Sequence, residues 1–301
     1  MIRPFAILLL SAAIALLATL AHAETLNVHL VLSDSTAPYQ QFSTALNKAL
    51  AASKANVAII EKHAGDSAKA DLTIAVGMKA TELAIADSSP QVLSVMVPKA
   101  GYETLIEKYA LRKPIKAVSA IYLDQPWERQ LNFIQAALPK HDIVGVLYSP
   151  NTPIVLPRLP KGISINARSV RSAETLFATL ENILESSDVL LVIPDSEIYS
   201  SSNMRNILLT SYRQKVPLVG ISQAYVNAGA LCAIFSTPEQ PAWQAASVIG
   251  SFATDRRLPA PQYPASFSIG LNQQVANSLG IELAPPEVIR QRMEKAGEGA
   301  R

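Results

Sequence analysis

Hydrophobic positions along this chain follow two periods in turn. Unbroken apolar runs such as Val189, Leu190, Leu191, Val192 and Ile193 alternate with stretches in which apolar residues recur every three or four positions. The first pattern is that of strands buried on both faces and the second that of helices with one buried face. Their alternation predicts βαβ units around mostly parallel sheets, an α/β fold. In the first half, strands are expected near 26–33, 57–63, 71–77 and 91–98, with helices near 38–54, 78–86 and 102–109. A second series has strands near 115–123, 143–149, 163–170, 188–194, 217–222 and 231–235 and helices near 127–138, 173–185, 203–215 and 225–228. A longer helix near 239–253, a late strand near 267–271 and a charged helix near 286–296 complete the chain.

The first residues break this rhythm. Arg3 precedes a run from Phe5 to Leu17 that is apolar except for Ser11, and Ala21, His22 and Ala23 form a small-x-small site before Glu24. That is the layout of an export signal (1–23), too short in its apolar core for a spanning helix, with the mature chain starting at Glu24. A lipid anchor needs a cysteine at that position, so none is expected. The single cysteine, Cys232, lies in the apolar run 230–235 and reads as a packed hydrophobe. Cleavage would leave 278 residues, the size of two lobes of ordinary domain size.

Composition removes several function classes. The formal charge of +2 is made of dispersed Lys, Arg, Asp and Glu, so no basic stripe marks a nucleic-acid surface. The first strand is followed by Ser33, Asp34, Ser35, Thr36, Ala37 and Pro38, without the glycines of a dinucleotide-binding turn. There is no nucleophile elbow, phosphate-binding loop or H-E-x-x-H motif, and His29, His63 and His141 are scattered over separate strands and loops. No cofactor and no metal is expected, because a metal site needs clustered donors. Asp34, Asp124 and Asp195 follow strands and could in principle serve as acid or base, but their spacing specifies no reaction. Asp142 and Asp188 begin strands and belong to the opposite edge.

Several segments carry a family resemblance: Leu138 and Pro139 before the run 143–150 (IVGVLYSP); Ile193, Pro194 and Asp195; 216–220 (VPLVG); 224–231 (AYVNAGAL); and 271–280 (LNQQVANSLG). On these the chain resembles the substrate-binding components of ABC importers, the family that includes aromatic-amino-acid binders, over most of the sequence from Ile121 onward. The amino-terminal part departs from the family pattern, with Gly77, Met78 and Lys79 where a Gly-Thr-Pro-like turn is usual and no Asp-Pro near Val97, Pro98 and Lys99. The resemblance implies a type I periplasmic binding fold, two Rossmann-like lobes joined by a hinge. On it the amino-terminal lobe is 24–118, completed by a helix around 238–260, and the carboxy-terminal lobe is 119–237, completed by 263–301. The Pro-rich stretch 258–264 reads as one of the crossings between lobes.

In open α/β sheets the ligand crevice lies outside the carboxyl ends of the strands. Placed there, the first lobe offers Ser33, Ser35 and Thr36 before one helix and Gly77 and Met78 before the next, where free N–H groups favour an anion. The alternative for each is ordinary helix capping. The second lobe offers Asp195, which could pair a ligand amine or cap the segment after it. Ser149, Asn151 and Ser222 close neighbouring strands, and Tyr122, Tyr199 and Tyr225 could wall a flat ligand. Thr237, Glu239 and Trp127 read as helix starts. The implied function is capture of a small-molecule ligand, possibly amino-acid-like, for an ABC permease in the inner membrane, by a periplasmic protein for which a monomer suffices and which binds no nucleic acid. An exported sensory or scaffold protein of the same fold is the alternative, and an enzyme a third.

Overall fold

A computed structural model describes residues 25–53, 56–62, 70–87, 89–111, 117–152, 154–156 and 159–295. The expected export signal and His63 lie outside them. The first sheet holds five strands in the order β2-β1-β3-β4-β5: β1 (Leu26–Leu32), β2 (Val57–Lys62), β3 (Leu72–Val76), β4 (Gln91–Val97) and β5 (Ala117–Tyr122), all parallel. Every residue of β3 is buried, which is why it reads as an unbroken apolar run. One face is covered by α1 (Ala37–Ser53), whose Phe42, Leu46 and Ala49 recur at helical spacing, together with a much later helix. The other is covered by α2 (Met78–Ala86) and α3 (Lys99–Ala110) through Ala80, Ala84 and Tyr102.

The strand expected near 115–123 does not open the second series. As β5 it pairs with β4, from Gln91 opposite Ala117 to Val97 opposite Tyr122. The chain leaves the first lobe only after it, at 123–126. An apolar run shows that a strand is buried but not which sheet buries it.

The second sheet runs β11-β10-β9-β8-β6-β7: β6 (Ile143–Tyr148), β7 (Ser164–Ser169), β8 (Val189–Leu191), β9 (Leu218–Gly220), β10 (Cys232–Phe235) and β11 (Ser268–Leu271). Only β11 is antiparallel to its neighbour. Helices α4 (Trp127–Ala137), α5 (Leu176–Leu184), α6 (Ser201–Arg213) and α7 (Gln223–Ala228) fall between these strands. Leu131, Ile134, Leu180, Ile183 and Ile207 are fully buried in its core. From β10 the chain returns to the first lobe as α8 (Glu239–Asp255), which packs against α1. It then lies along the edge of the first sheet, where Gln262 exchanges backbone hydrogen bonds with Ala120 and Tyr122 (2.8 and 2.9 Å).

It crosses back near 263–267 to β11, α9 (Gln273–Leu279) and α10 (Pro286–Lys295). The hydrophobic pattern did not predict α9, which is too short to show a period. Its signals are local: the Asn272 side chain accepts from Val275 N at 3.0 Å, and Gly280 ends the helix at φ +68°.

Three connections among the described residues, at 123–126, 236–238 and 263–267, thus join the lobes. Gln125 Nε2 donates to Ser236 Oγ (2.9 Å), and Ser236 Oγ donates to Ser266 O (2.6 Å). Arg129 donates to both Gln125 Oε1 (2.7 Å) and Pro264 O (2.9 Å). The crossings are lashed to one another by side chains, so they bend as one hinge.

Candidate functional site

The carboxyl ends of both sheets face each other across a cleft holding two adjoining cavities. The larger, about 420 Å³, has Met78, Pro98, Gly101 and Leu123 on the first-lobe side and Asn151, Pro194, Asp195, Tyr199 and Tyr225 on the other. The smaller, about 100 Å³, lies toward the hinge between Lys99, Glu103, Asp124 and Tyr263 on one side and Trp127, Gln130, Thr152 and Ile193 on the other. Strand ends and helix starts bring these residues together, as expected of a crevice built on parallel sheets.

Of the first-lobe residues chosen from sequence, Met78 lines the cleft, while Ser33, Ser35, Thr36 and Gly77 build the rim behind it. Ser33 Oγ accepts from Ala80 N (3.0 Å) and so caps α2 from a neighbouring strand. Gly77 sits at φ +85°, and a Cβ there would stand 2.5 Å from Tyr39 Oη and 2.6 Å from Ser33 Oγ. Thr36 N is held by the Asp34 carboxylate at 2.8 Å, and Tyr39 N and Gln40 N donate to Thr36 O, while Ser35 is exposed. The hydrogen bonds from Thr36 hold Asp34 below the usual carboxylate range. Tyr122 is buried in an edge-on stack, 5.9 Å from Tyr102 and 5.3 Å from Tyr263, and burial pushes its hydroxyl up to about 12. It supports Tyr263, which does reach the cavity.

In the second lobe Asn151, Asp195, Tyr199 and Tyr225 line the larger cavity; Ser149 and Ser222 do not. Asp195 is only 2% exposed. One carboxylate oxygen accepts from Ser149 N at 2.7 Å and the other from Glu197 N and Ile198 N at 3.0 and 3.2 Å. Three backbone donors thus hold its charge and fix the turn that carries Glu197 and Tyr199. Asn151 Nδ2 donates to Glu197 Oε1. The Tyr199 hydroxyl, buried and raised by desolvation, has no hydrogen-bond partner, and neither has Ser149 Oγ. Ser222 begins α7 through its backbone carbonyl, which accepts from Tyr225 N and Val226 N. Tyr225 closes over Gly220.

Sequence reasoning did not select the residues nearest the hinge. Asp124 follows β5 and accepts from Lys99 N, the first helical residue of α3, at 2.7 Å. Desolvation pushes its carboxyl up to about 6 against the pull of that bond and of Lys99. The Lys99 ammonium lies over the Tyr263 ring at 5.8 Å and pairs with Glu103 at 3.7 Å. Burial works to lower it, but Tyr263, Glu103 and Asp124 outweigh burial, and the net shift is upward. The available signal was position: Asp124 follows a strand as Asp195 does, but that strand had been given to the wrong sheet.

Among the described residues no group of three or more His, Cys, Asp or Glu side chains could hold a metal ion, and no helix is long and apolar enough to cross a membrane. Cys232 is buried, with its thiol pushed up to about 12 by desolvation. The cleft is therefore built of hydrogen-bonding groups, carboxylates and aromatic walls.

The family model for ABC transporter substrate binding proteins matches residues 40–283. The chain belongs to that family. Family membership covers both lobes and all three crossings. No curated protein matches the chain. Among solved structures, a substrate binding protein with adhesive properties from Clostridium difficile, in its ligand-free, open form, aligns with TM-score 0.65 at 16% identity, over 87% of this chain and 97% of that one. A conserved domain protein from Vibrio cholerae aligns with TM-score 0.60 at 18% identity, over 89% and 98%. The ABC domain in complex with L-Trp from Streptococcus pneumonia aligns with TM-score 0.58 at 18% identity, over 87% and 98%. At these identities the likeness shows the shared two-lobed α/β fold.

Proposed function

We propose that this substrate-binding protein works outside the cytoplasm, closes its two lobes on a small organic solute and hands it to an ABC permease. The observation that carries the reading is that both cavities are lined from both lobes and sit beside a hinge of three tied crossings. A solute filling them gains contacts from both lobes only when the hinge closes, so capture and shape change are coupled. The family's binding role and the lack of a recognisable acid, base and nucleophile set support binding without turnover. Residues 1–23 support export, and amino-terminal sequencing of exported protein should begin at Glu24.

Binding is tested by thermal shift against amines, amino acids, organic acids and sugars. A solute at 100 times its dissociation constant adds about 2.7 kcal/mol, a clear rise in melting temperature. Folded protein that responds to nothing in a broad panel rules the reading out. Delivery is tested by uptake of the identified solute into cells with and without the gene.

A further inference from the structure

Cation selectivity is the step the cleft chemistry supports beyond capture, and it rests on the capture reading above. Among the described residues the two cavities are lined by four carboxylates, Glu103, Asp124, Asp195 and Glu197, against one ammonium, Lys99. The chain as a whole is slightly basic, so this imbalance is local to the cleft. We propose that the cleft selects an organic cation, an ammonium group on an apolar body, and that Asp124 is the residue that anchors its charge.

The assignment to Asp124 follows from what the other charges already do. Asp195 is held by three backbone N–H groups, Glu197 accepts from Asn151, and Glu103 pairs with Lys99. Asp124 accepts a single backbone hydrogen bond, and among the described residues no cationic group lies within ion-pair range of it. A carboxylate desolvated without a counter-charge is under-compensated, and an incoming ammonium supplies the missing partner. The walls suit such a guest. Trp127 and Tyr263 flank Asp124 in the smaller cavity, and Tyr199 and Tyr225 line the larger, so a cation meets ring faces as well as a charge. The Tyr199 hydroxyl, 93% buried and unpartnered, is a further independent mark of a ligand position in the larger cavity. An anionic solute would enter against this excess of negative charge.

The groups facing Asp124 are Lys99 and Glu103 from α3, Tyr122 from β5, Tyr263 from the third crossing, and Trp127 and Gln130 from α4. Isothermal titration of the full-length mature protein at pH 7.5 should compare tryptamine, tyramine, choline and putrescine with indole-3-propionate, 4-hydroxyphenylpropionate and ribose. At least one amine should bind, at least tenfold more tightly than its uncharged or acidic counterpart. Asp124→Asn, which keeps the acceptor for Lys99 N, should weaken that amine at least tenfold with an unchanged circular dichroism spectrum. Lowering the pH to 5 should weaken wild type about tenfold and the variant hardly at all. If only the acids or ribose bind, or if Asp124→Asn binds the amine as wild type does, cation selection is wrong while capture stands. If nothing in the panel binds folded protein, both proposals fall.

Discussion

Asp124 in the first lobe and Asp195 in the second occupy corresponding places, each just beyond the carboxyl end of a buried strand and each accepting from a backbone N–H across the rim. They differ in how much of the rim they hold. Asp195 gathers three backbone donors and fixes the turn after β8. Asp124 accepts one, from the start of α3. In the first lobe much of the rim is tied instead by neutral groups, with Ser33 capping α2 and Gly77 letting Tyr39 and Ser33 close over the strand end. A carboxylate committed to backbone is architecture, and one with capacity left over can meet a ligand. The same division runs along the opposite edge, where Asp71 and Asp188 both accept from strand-start N–H groups and neither faces the cleft.

The largest effect that would break this contrast is on stability. Asp195→Ala leaves three N–H groups at a buried rim without their acceptor and should destabilise the protein by about 3 kcal/mol. Asp124→Ala removes one acceptor and should cost about 1 kcal/mol. Urea denaturation followed by circular dichroism separates them, and equal losses would show that both carboxylates are structural.

The neutral ties of the first lobe make the next prediction. Gly77→Ala puts a Cβ into the space of Tyr39 and Ser33 at a φ of +85°, and it should cost about 2 kcal/mol. The loss should fall on the first lobe, so exchange of amides in α2 should rise more than in α7. Unchanged protection of α2 would mean that its rim is held by something other than this packing.

How far the sequence reveals such differences depends on their range. Strands and helices are legible because burial imposes a period on the chain, and β1, β3, β8 and β10 lie inside the predicted runs. Sheet membership is not local, so β5 was read into the wrong lobe, and with it went the clue that Asp124 follows a first-lobe strand. Asp195 was correctly placed at the cleft, but its hydrogen bonds join residues 46 apart in the chain and leave no trace in spacing. Tyr263 is similar: it reaches the site from a proline-rich crossing whose composition says only that it is irregular.

The smallest expected effect is also the most specific to Asp124. Its folded carboxyl is raised to about 6 from an ordinary value of 3.8, so between these two pH values the native state holds more proton than the unfolded chain. Stability contributed by this group is therefore present at low pH and is lost as the pH rises through 6. Asp124→Asn cannot ionise, so its stability profile between pH 4 and 7 should be flatter than that of wild type, and at pH 7 it should melt slightly higher. A bound cation should abolish the difference, because it compensates the charge that makes ionisation unfavourable. If instead the wild type and Asp124→Asn profiles run parallel from pH 4 to 7, Asp124 is already compensated in the empty cleft, and its resemblance to Asp195 is closer than their hydrogen bonds suggest.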